Sequence, residues 1–200
     1  SKYGFINNTG DFIIQPKYSY AENFRNGTAV IYVESMAGIL YQNGNEVFFP
    51  NYRSIKFFSN TNAMVTTHSG TIGFIDITGK LILDTIYSEA GAIENGIISL
   101  HKIIYGENKR EYSYEVAVID TNLNFIVPLG KYSGSSTFQN GFIAVNDISE
   151  SYGIKYRNFL NTKGDVILKE YPGDKSREYD IVSPVNDSTF IVIYNSDSSN

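Results

Sequence analysis

Tyr3-Gly4-Phe5-Ile6-Asn7-Asn8-Thr9-Gly10-Asp11 runs into Phe12-Ile13-Ile14 and stops at Pro16. Two short apolar runs separated by a loop of turn formers, with proline closing the second, read as a β-hairpin. The same series returns as Ile72-Gly73-Phe74-Ile75-Asp76-Ile77-Thr78-Gly79-Lys80. Looser copies are Ala37–Asn45, Val116–Asn124 and Arg157–Asp165. Counted from Gly4 through Gly38, Gly73, Ala117 and Asn158, the steps are 34, 35, 44 and 41 residues. A fixed period of this size marks a repeat architecture. The chain is accordingly expected to be one repeat domain over 1–194, with cores starting near Tyr3, Ala37, Ile72, Val116 and Arg157, and a polar tail at 195–200.

The likeness extends through each unit. Tyr18, Tyr52 and Tyr87 follow the first glycine at one offset, and Tyr132 and Tyr171 drift from it by one residue. Phe24, Phe58, Ile93 and Phe138 follow six residues later, an even spacing that puts them on the tyrosine's face of an extended strand. Gly27, Gly96 and Gly141 close three units, and Asn62 stands near that place in the second; asparagine tolerates positive φ, so the turn is expected to survive there. The hairpin turn ends on Gly10, Gly44, Gly79 and Gly164, whereas Leu123 in the fourth unit suggests a turn shifted by one residue. Thr28–Val33, Ala63–Val65, Ile97–Leu100, Phe142–Val145 and Phe190–Tyr194 read as a further strand. No helical period is sustained.

The expected fold is therefore all-β, with about five four-stranded repeats. A small closed propeller-like ring is favoured. The chain opens on the Tyr3 strand and closes on Phe190–Tyr194, the type of strand that precedes it elsewhere, so each would protect the other's edge. The alternative is an open ribbon or solenoid of hairpins.

The sequence Tyr-Gly-Phe-Ile-Asn-x-x-Gly, then Ile-x-Pro-x-Tyr, then Phe-x-x-Gly-x-Ala-x-Val resembles the WG (KWG) repeat of bacterial proteins. That family has Trp-Gly-Phe-Ile-Asp, a Gly-Lys hairpin turn, Pro-x-Tyr and Phe-x-x-Gly-Leu-Ala-x-Val. The signature tryptophan is Tyr3, Ala37, Ile72, Val116 and Arg157 here. The resemblance implies a β-rich scaffold without catalytic residues, an interaction or surface module belonging to a larger bacterial protein, and a secreted or cell-surface setting over a cytoplasmic one.

Composition narrows the function. The 200 residues are 42% hydrophobic and 18% charged, too apolar for a disordered chain. A net charge of −5 without a basic stripe argues against nucleic acid and anionic membrane. No apolar run approaches the ~18 residues of a membrane span. Without cysteine there is no thiolate ligand, cysteine nucleophile or disulfide.

The candidates for chemistry are few. His68 and His101 lack a third recurring ligand and read as polar strand-edge residues. Asp76, Asp120, Asn7 and Asn161 recur at one place and read as turn-capping groups rather than calcium ligands. The repeated tyrosines read as packing between units, with their hydroxyls satisfied at the edge. No catalytic constellation, metal site or cofactor motif is found, so the chain is expected to bind rather than catalyse.

Specificity on a repeat scaffold sits in what the units do not share. Two insertions stand out, Lys102–Glu115 and Asn146–Arg157. Their candidate binding residues are Tyr105, Arg110, Tyr112, Tyr114, Tyr152, Tyr156 and Arg157, residue types favoured at interface hot spots. Both insertions follow the same strand type, so they are expected to rise from one rim. The expected partner is a protein; a glycan bound in lectin fashion is the alternative.

Overall fold

The computed structural model describes residues 1–107, 110, 112–134, 137–138, 140–148, 157–170, 179–186 and 189–194, the last two ranges and residue 170 by backbone only. Every regular element among them is a strand, and the pairings within every sheet are antiparallel. The chain forms two compact units, Ser1–Tyr87 and Ser88–Asn200.

The first unit begins with a hairpin of β1 (Tyr3–Ile6) and β2 (Phe12–Tyr18). A four-stranded sheet follows in chain order: β3 (Tyr20–Ala21), β4 (Thr28–Val33), β5 (Met36–Tyr41) and β6 (Glu46–Phe48). A second has β7 (Tyr52–Phe57), β8 (Asn62–Thr67), β9 (Ile72–Asp76) and β10 (Leu81–Tyr87). Each sheet joins the last two strands of one sequence repeat to the hairpin of the next: β3 and β4 come from the unit starting at Tyr3 and β5 and β6 from that starting at Ala37, and β7 and β8 from the latter with β9 and β10 from that starting at Ile72.

Apolar side chains fill the space between successive repeats. Tyr18, Ala29, Ile31 and Leu40 form one cluster with Phe5, Ile14 and Phe48 against it. Val30, Ile39, Ile55, Ala63, Val65 and Ile75 form the next, covered by Tyr32, Tyr41 and Tyr52. Alternate residues of β4 thus enter different clusters, so both faces of this strand are buried. The core accordingly depends on stacking of neighbours rather than on any one repeat.

The second unit carries a seven-stranded sheet: β11 (Glu89–Ala90), β12 (Ile97–Tyr105), β13 (Tyr112–Asp120), β14 (Phe125–Ser133), β15 (Ile143–Asp147), β16 (Arg157–Leu160) and β17 (Val166–Glu170). Its core is Ile97, Val116, Val118, Val127, Tyr132, Phe138, Ile143, Val145 and Leu160. A hairpin of β18 (Tyr179–Asn186) and β19 (Thr189–Tyr194) belongs to the same unit.

Two close approaches explain recurring residues. At Gly73 an added Cβ would lie 2.9 Å from the Leu83 carbonyl oxygen, and at Gly4 2.5 Å from that of Ile14. The strands shift register beside these glycines and bring backbone against backbone, which leaves no room for a side chain. The closing glycines follow asparagines, and both are left-handed in Asn26-Gly27, Asn95-Gly96 and Asn140-Gly141. Two successive residues at positive φ are the signature of a type I′ turn.

Four sequence expectations change. The second run of the first hairpin does not stop at Pro16: β2 continues through it to Tyr18. Asn62 does not take the turn: it opens β8, and Ser59 Oγ accepts the backbone N–H groups of Thr61 and Asn62 instead. Leu123 does not mark a shifted turn, for it sits at φ 69° where Gly79 has φ 87°. Its N–H bonds to the Asp120 carbonyl as that of Gly79 does to Asp76, and its side chain is buried, which offsets the left-handed backbone. His101 is not at a strand edge. It is fully buried between Glu89 on β11 and Val116 on β13, because β12 is an inner strand.

Candidate functional site

Most tyrosines at the recurring offset are structural. Tyr18, Tyr87 and Tyr132 are buried and Tyr52 half-buried; Tyr171 lies outside the described residues. The Tyr18 hydroxyl donates to Glu46 Oε1 at 2.9 Å, and Lys17 pairs with the same carboxylate. Desolvation, then the bond to Glu46 and its charge, push the Tyr18 phenol well above its ordinary range. Tyr41 donates to the Ile77 carbonyl at 2.8 Å in the next repeat. The phenol hydroxyls thus link one repeat to its neighbour.

The recurring Asp and Asn are turn caps. Asp76 Oδ1 accepts the backbone N–H groups of Thr78 and Lys80 at 2.8 and 3.0 Å, and Asp120 Oδ1 those of Asn122 and Asn124 at 2.8 and 2.9 Å. Asn7 and Asn161 do the same at the other two positions. Desolvation raises the Asp76 pKa, but the bonds from Thr78 and Lys80 outweigh it and hold the carboxyl below its usual range. Asp120 shows the same balance with Asn124 and Asn122. His68 is exposed and its Nε2 lies 3.0 Å from the Pro50 carbonyl oxygen. Among the described residues no three His, Asp or Glu side chains gather as a metal site, and no helix is long and apolar enough to cross a membrane.

The first insertion is an extension of the β12–β13 hairpin. Nine cross-strand pairs run from Ile97↔Asp120 to Tyr105↔Tyr112. The equivalent hairpin of β4 and β5 closes after six, at Val33↔Met36. Among the described residues flanking segments support the base: β11 reaches His101, and β14 reaches Glu115, with the Gly134 N–H bonding to the Tyr114 carbonyl just past it. Beyond them, among the described residues, the hairpin is a two-stranded ribbon. Tyr105 and Tyr112 are each 61% exposed, Tyr112 and Tyr114 meet edge-to-face at 5.7 Å, and Arg110 is exposed in the turn.

The second insertion is partly visible. Tyr152 and Tyr156 lie outside the described residues. Arg157 pairs with Asn146, and its guanidinium lies over the Phe159 ring at 4.9 Å. Asp147 accepts from Asn158 Nδ2 at 2.8 Å and pairs with Lys169 at 3.0 Å.

The bases of the two insertions are close: Ser133 on β14 pairs with Glu115 on one side and Asn146 on the other. The expectation of one shared rim fails nonetheless. Since β14 is antiparallel to both β13 and β15, the two hairpins leave it in opposite directions. The structure thus brings Tyr105, Tyr112 and Tyr114 together and sets Arg157 apart from them. Sequence reading missed Glu89 and Ile103, which share the tyrosines' side of the sheet; strand alternation from Tyr105 back to His101 is the signal that finds Ile103.

A search of the curated proteins found no match to this chain. The family model of the WG containing repeat matches residues 3–35 and 72–99. These stretches hold the β1–β2 hairpin with β3 and β4, and β9–β10 with β11 and the start of β12, the two units whose motifs are closest in sequence. Over these two stretches the chain is similar to the WG repeat family.

Proposed function

We propose that the chain is a non-catalytic binding module of a larger bacterial protein, and that the β12–β13 hairpin is its contact with a protein partner. The observation that carries this reading is the pair Tyr105 and Tyr112, each 61% exposed at the end of a hairpin longer than its repeat requires. Large aromatic rings held on a rigid ribbon cost little entropy to immobilise and are favoured at interface hot spots. A lectin-like reading rests on the same rings, which offer flat faces to a sugar.

The test replaces Lys102–Glu115 with Asn-Gly, which closes the hairpin at His101 and Val116. Native and shortened proteins are used as bait in lysate of the source cell, and a glycan array is run on both. A protein captured by the native chain and lost from the shortened one supports the reading. Equal capture by both overturns it, and a glycan retained by the native chain alone transfers the site to the lectin reading.

Ring closure of the repeats belongs to the same proposal. The β18–β19 and β1–β2 hairpins each supply two strands of the type ordered in β7, β8, β9 and β10. In a closed ring β19 pairs with β1. Amide exchange along Tyr3–Ile6 then is as slow as along Ile72–Asp76; fast exchange of the β1 amides that do not face β2 favours the open ribbon.

A further inference from the structure

We propose that one side of the β12–β13 hairpin is a recognition site for a cationic side chain, an arginine or lysine presented by the partner protein. This rests on the hairpin being the contact element and names what it contacts.

Register sets the side. His101 pairs with Val116, Ile103 with Tyr114 and Tyr105 with Tyr112. Side chains alternate along a strand, so these rows share one side of the ribbon, and Lys102, Ile104, Ser113 and Glu115 share the other. From base to tip the first side opens progressively: His101 and Val116 are buried, Ile103 and Tyr114 half-buried, Tyr105 and Tyr112 exposed. Tyr114 stands edge-on to both neighbours, with ring centroids 6.3 Å from His101 and 5.7 Å from Tyr112. The tyrosines therefore form a continuous aromatic surface anchored on the core.

Charge decides what fits that surface. Lys102 and Glu115 oppose each other across the far side. On the tyrosine side, among the described residues of β11, β12 and β13, the acidic groups are Glu89, exposed and in the same row as His101, and Asp120, which caps its own turn at the far end of β13. The Tyr114 phenol is raised first by desolvation, then by the charge of Glu89 and by Tyr112 and Tyr105, so the four groups lie within electrostatic reach. Aromatic faces carry negative quadrupole potential and attract ammonium and guanidinium groups. A carboxylate at the base of the same surface supplies the counter-charge. An anionic ligand meets repulsion from Glu89, and a neutral sugar leaves its charge uncompensated. The chain's net charge of −5 acts in the same direction at long range.

The probe is a hexa-arginine peptide, with hexaglutamate and maltohexaose as comparisons, titrated calorimetrically into the native chain and into Tyr105→Ala, Tyr112→Ala and Glu89→Gln. All three positions are exposed, and a melting curve of each variant verifies the fold. The native chain is expected to bind hexa-arginine and neither comparison. Loss of each ring weakens binding roughly two- to fivefold, and Glu89→Gln weakens it with a shallower salt dependence. Equal binding of hexa-arginine by the native and tyrosine variants shows general attraction to an acidic protein and overturns the inference, as does absence of binding to the native chain. If hairpin-dependent capture persists in either case, the cation site alone is wrong; equal capture by native and shortened chains removes the underlying reading as well.

Discussion

Tyr18, Tyr87 and Tyr132 are at most 4% exposed, whereas Tyr105 and Tyr112 are 61% exposed. The first group sits at the recurring offset of its repeats and packs on the motif phenylalanines, as Tyr87 does on Phe74 at 6.5 Å and Tyr18 on Phe5 at 6.1 Å. The second group falls within an insertion that one repeat carries. A side chain with an apolar ring and a polar tip serves both places: buried, it fills the gap between repeats and bonds at its edge; exposed, it offers a stiff surface. Periodicity separates the two uses, and burial follows it.

The strongest way to break this comparison is to attack the packed group. Phe74 is fully buried against Tyr87 and Phe58, so Phe74→Ala is expected to cost about 3–5 kcal/mol in urea unfolding. The matching Phe5→Ala is expected to cost about 1–2 kcal/mol, because Phe5 is half-buried and its neighbour Ile6 is 58% exposed. Equal costs contradict the burial difference between the β9–β10 and β1–β2 hairpins.

Removing a phenol hydroxyl is a smaller change. Tyr18→Phe leaves Glu46 without its 2.9 Å donor and is expected to lower stability by about 1–2 kcal/mol by the same measurement. An unchanged midpoint removes the hydroxyl from the account of how repeats are tied together.

Acid should act through the turn caps. Asp76 and Asp120 are held below their usual range in the folded chain by turn hydrogen bonds working against desolvation. A lowered folded pKa contributes stability above the unfolded value, about 3.9, and loses it as pH falls through the folded value. The native melting temperature is therefore expected to fall between pH 5 and pH 3, and Asp76→Asn with Asp120→Asn to show a shallower fall. Asn7 and Asn161 already accept the same two N–H bonds with a neutral amide, the carboxylate standing instead at Asp11 and Asp165, to which their Nδ2 groups donate. A double variant as acid-sensitive as the native chain sets the loss elsewhere.

The smallest effects belong to the hairpin. Tyr112→Ala and Tyr105→Ala are each expected to change stability by less than about 0.5 kcal/mol in the same denaturant titration. A cost near that of Phe74→Ala makes the exposed rings part of the scaffold.

These contrasts also mark what the sequence discloses. The repeat register, the hairpin turns and the Asp and Asn caps are legible because each recurs and a recurring residue answers a recurring backbone need. Gly73 and Gly4 recur for lack of space against a facing carbonyl, a reason visible once the strands pair. His101 was misplaced because a single strand's pattern does not say how many strands flank it; β11 on one side and β13 on the other bury it. Leu123 takes a glycine's conformation because burial of its side chain outweighs a backbone preference, a balance local sequence does not carry. The direction of the two insertions escaped for a similar reason: it depends on β14 pairing on both of its edges.

The central claim is that the scaffold and the β12–β13 extension are separable, one for folding and the other for contact. Thermal unfolding of the chain in which Lys102–Glu115 is replaced by Asn-Gly tests it directly. The account predicts a single cooperative transition with a melting temperature within about 2 °C of the native value, a change of less than roughly 1 kcal/mol for a chain of this size. A fall of about 6 °C or more, or loss of the cooperative transition, would contradict it and make the extension part of the fold.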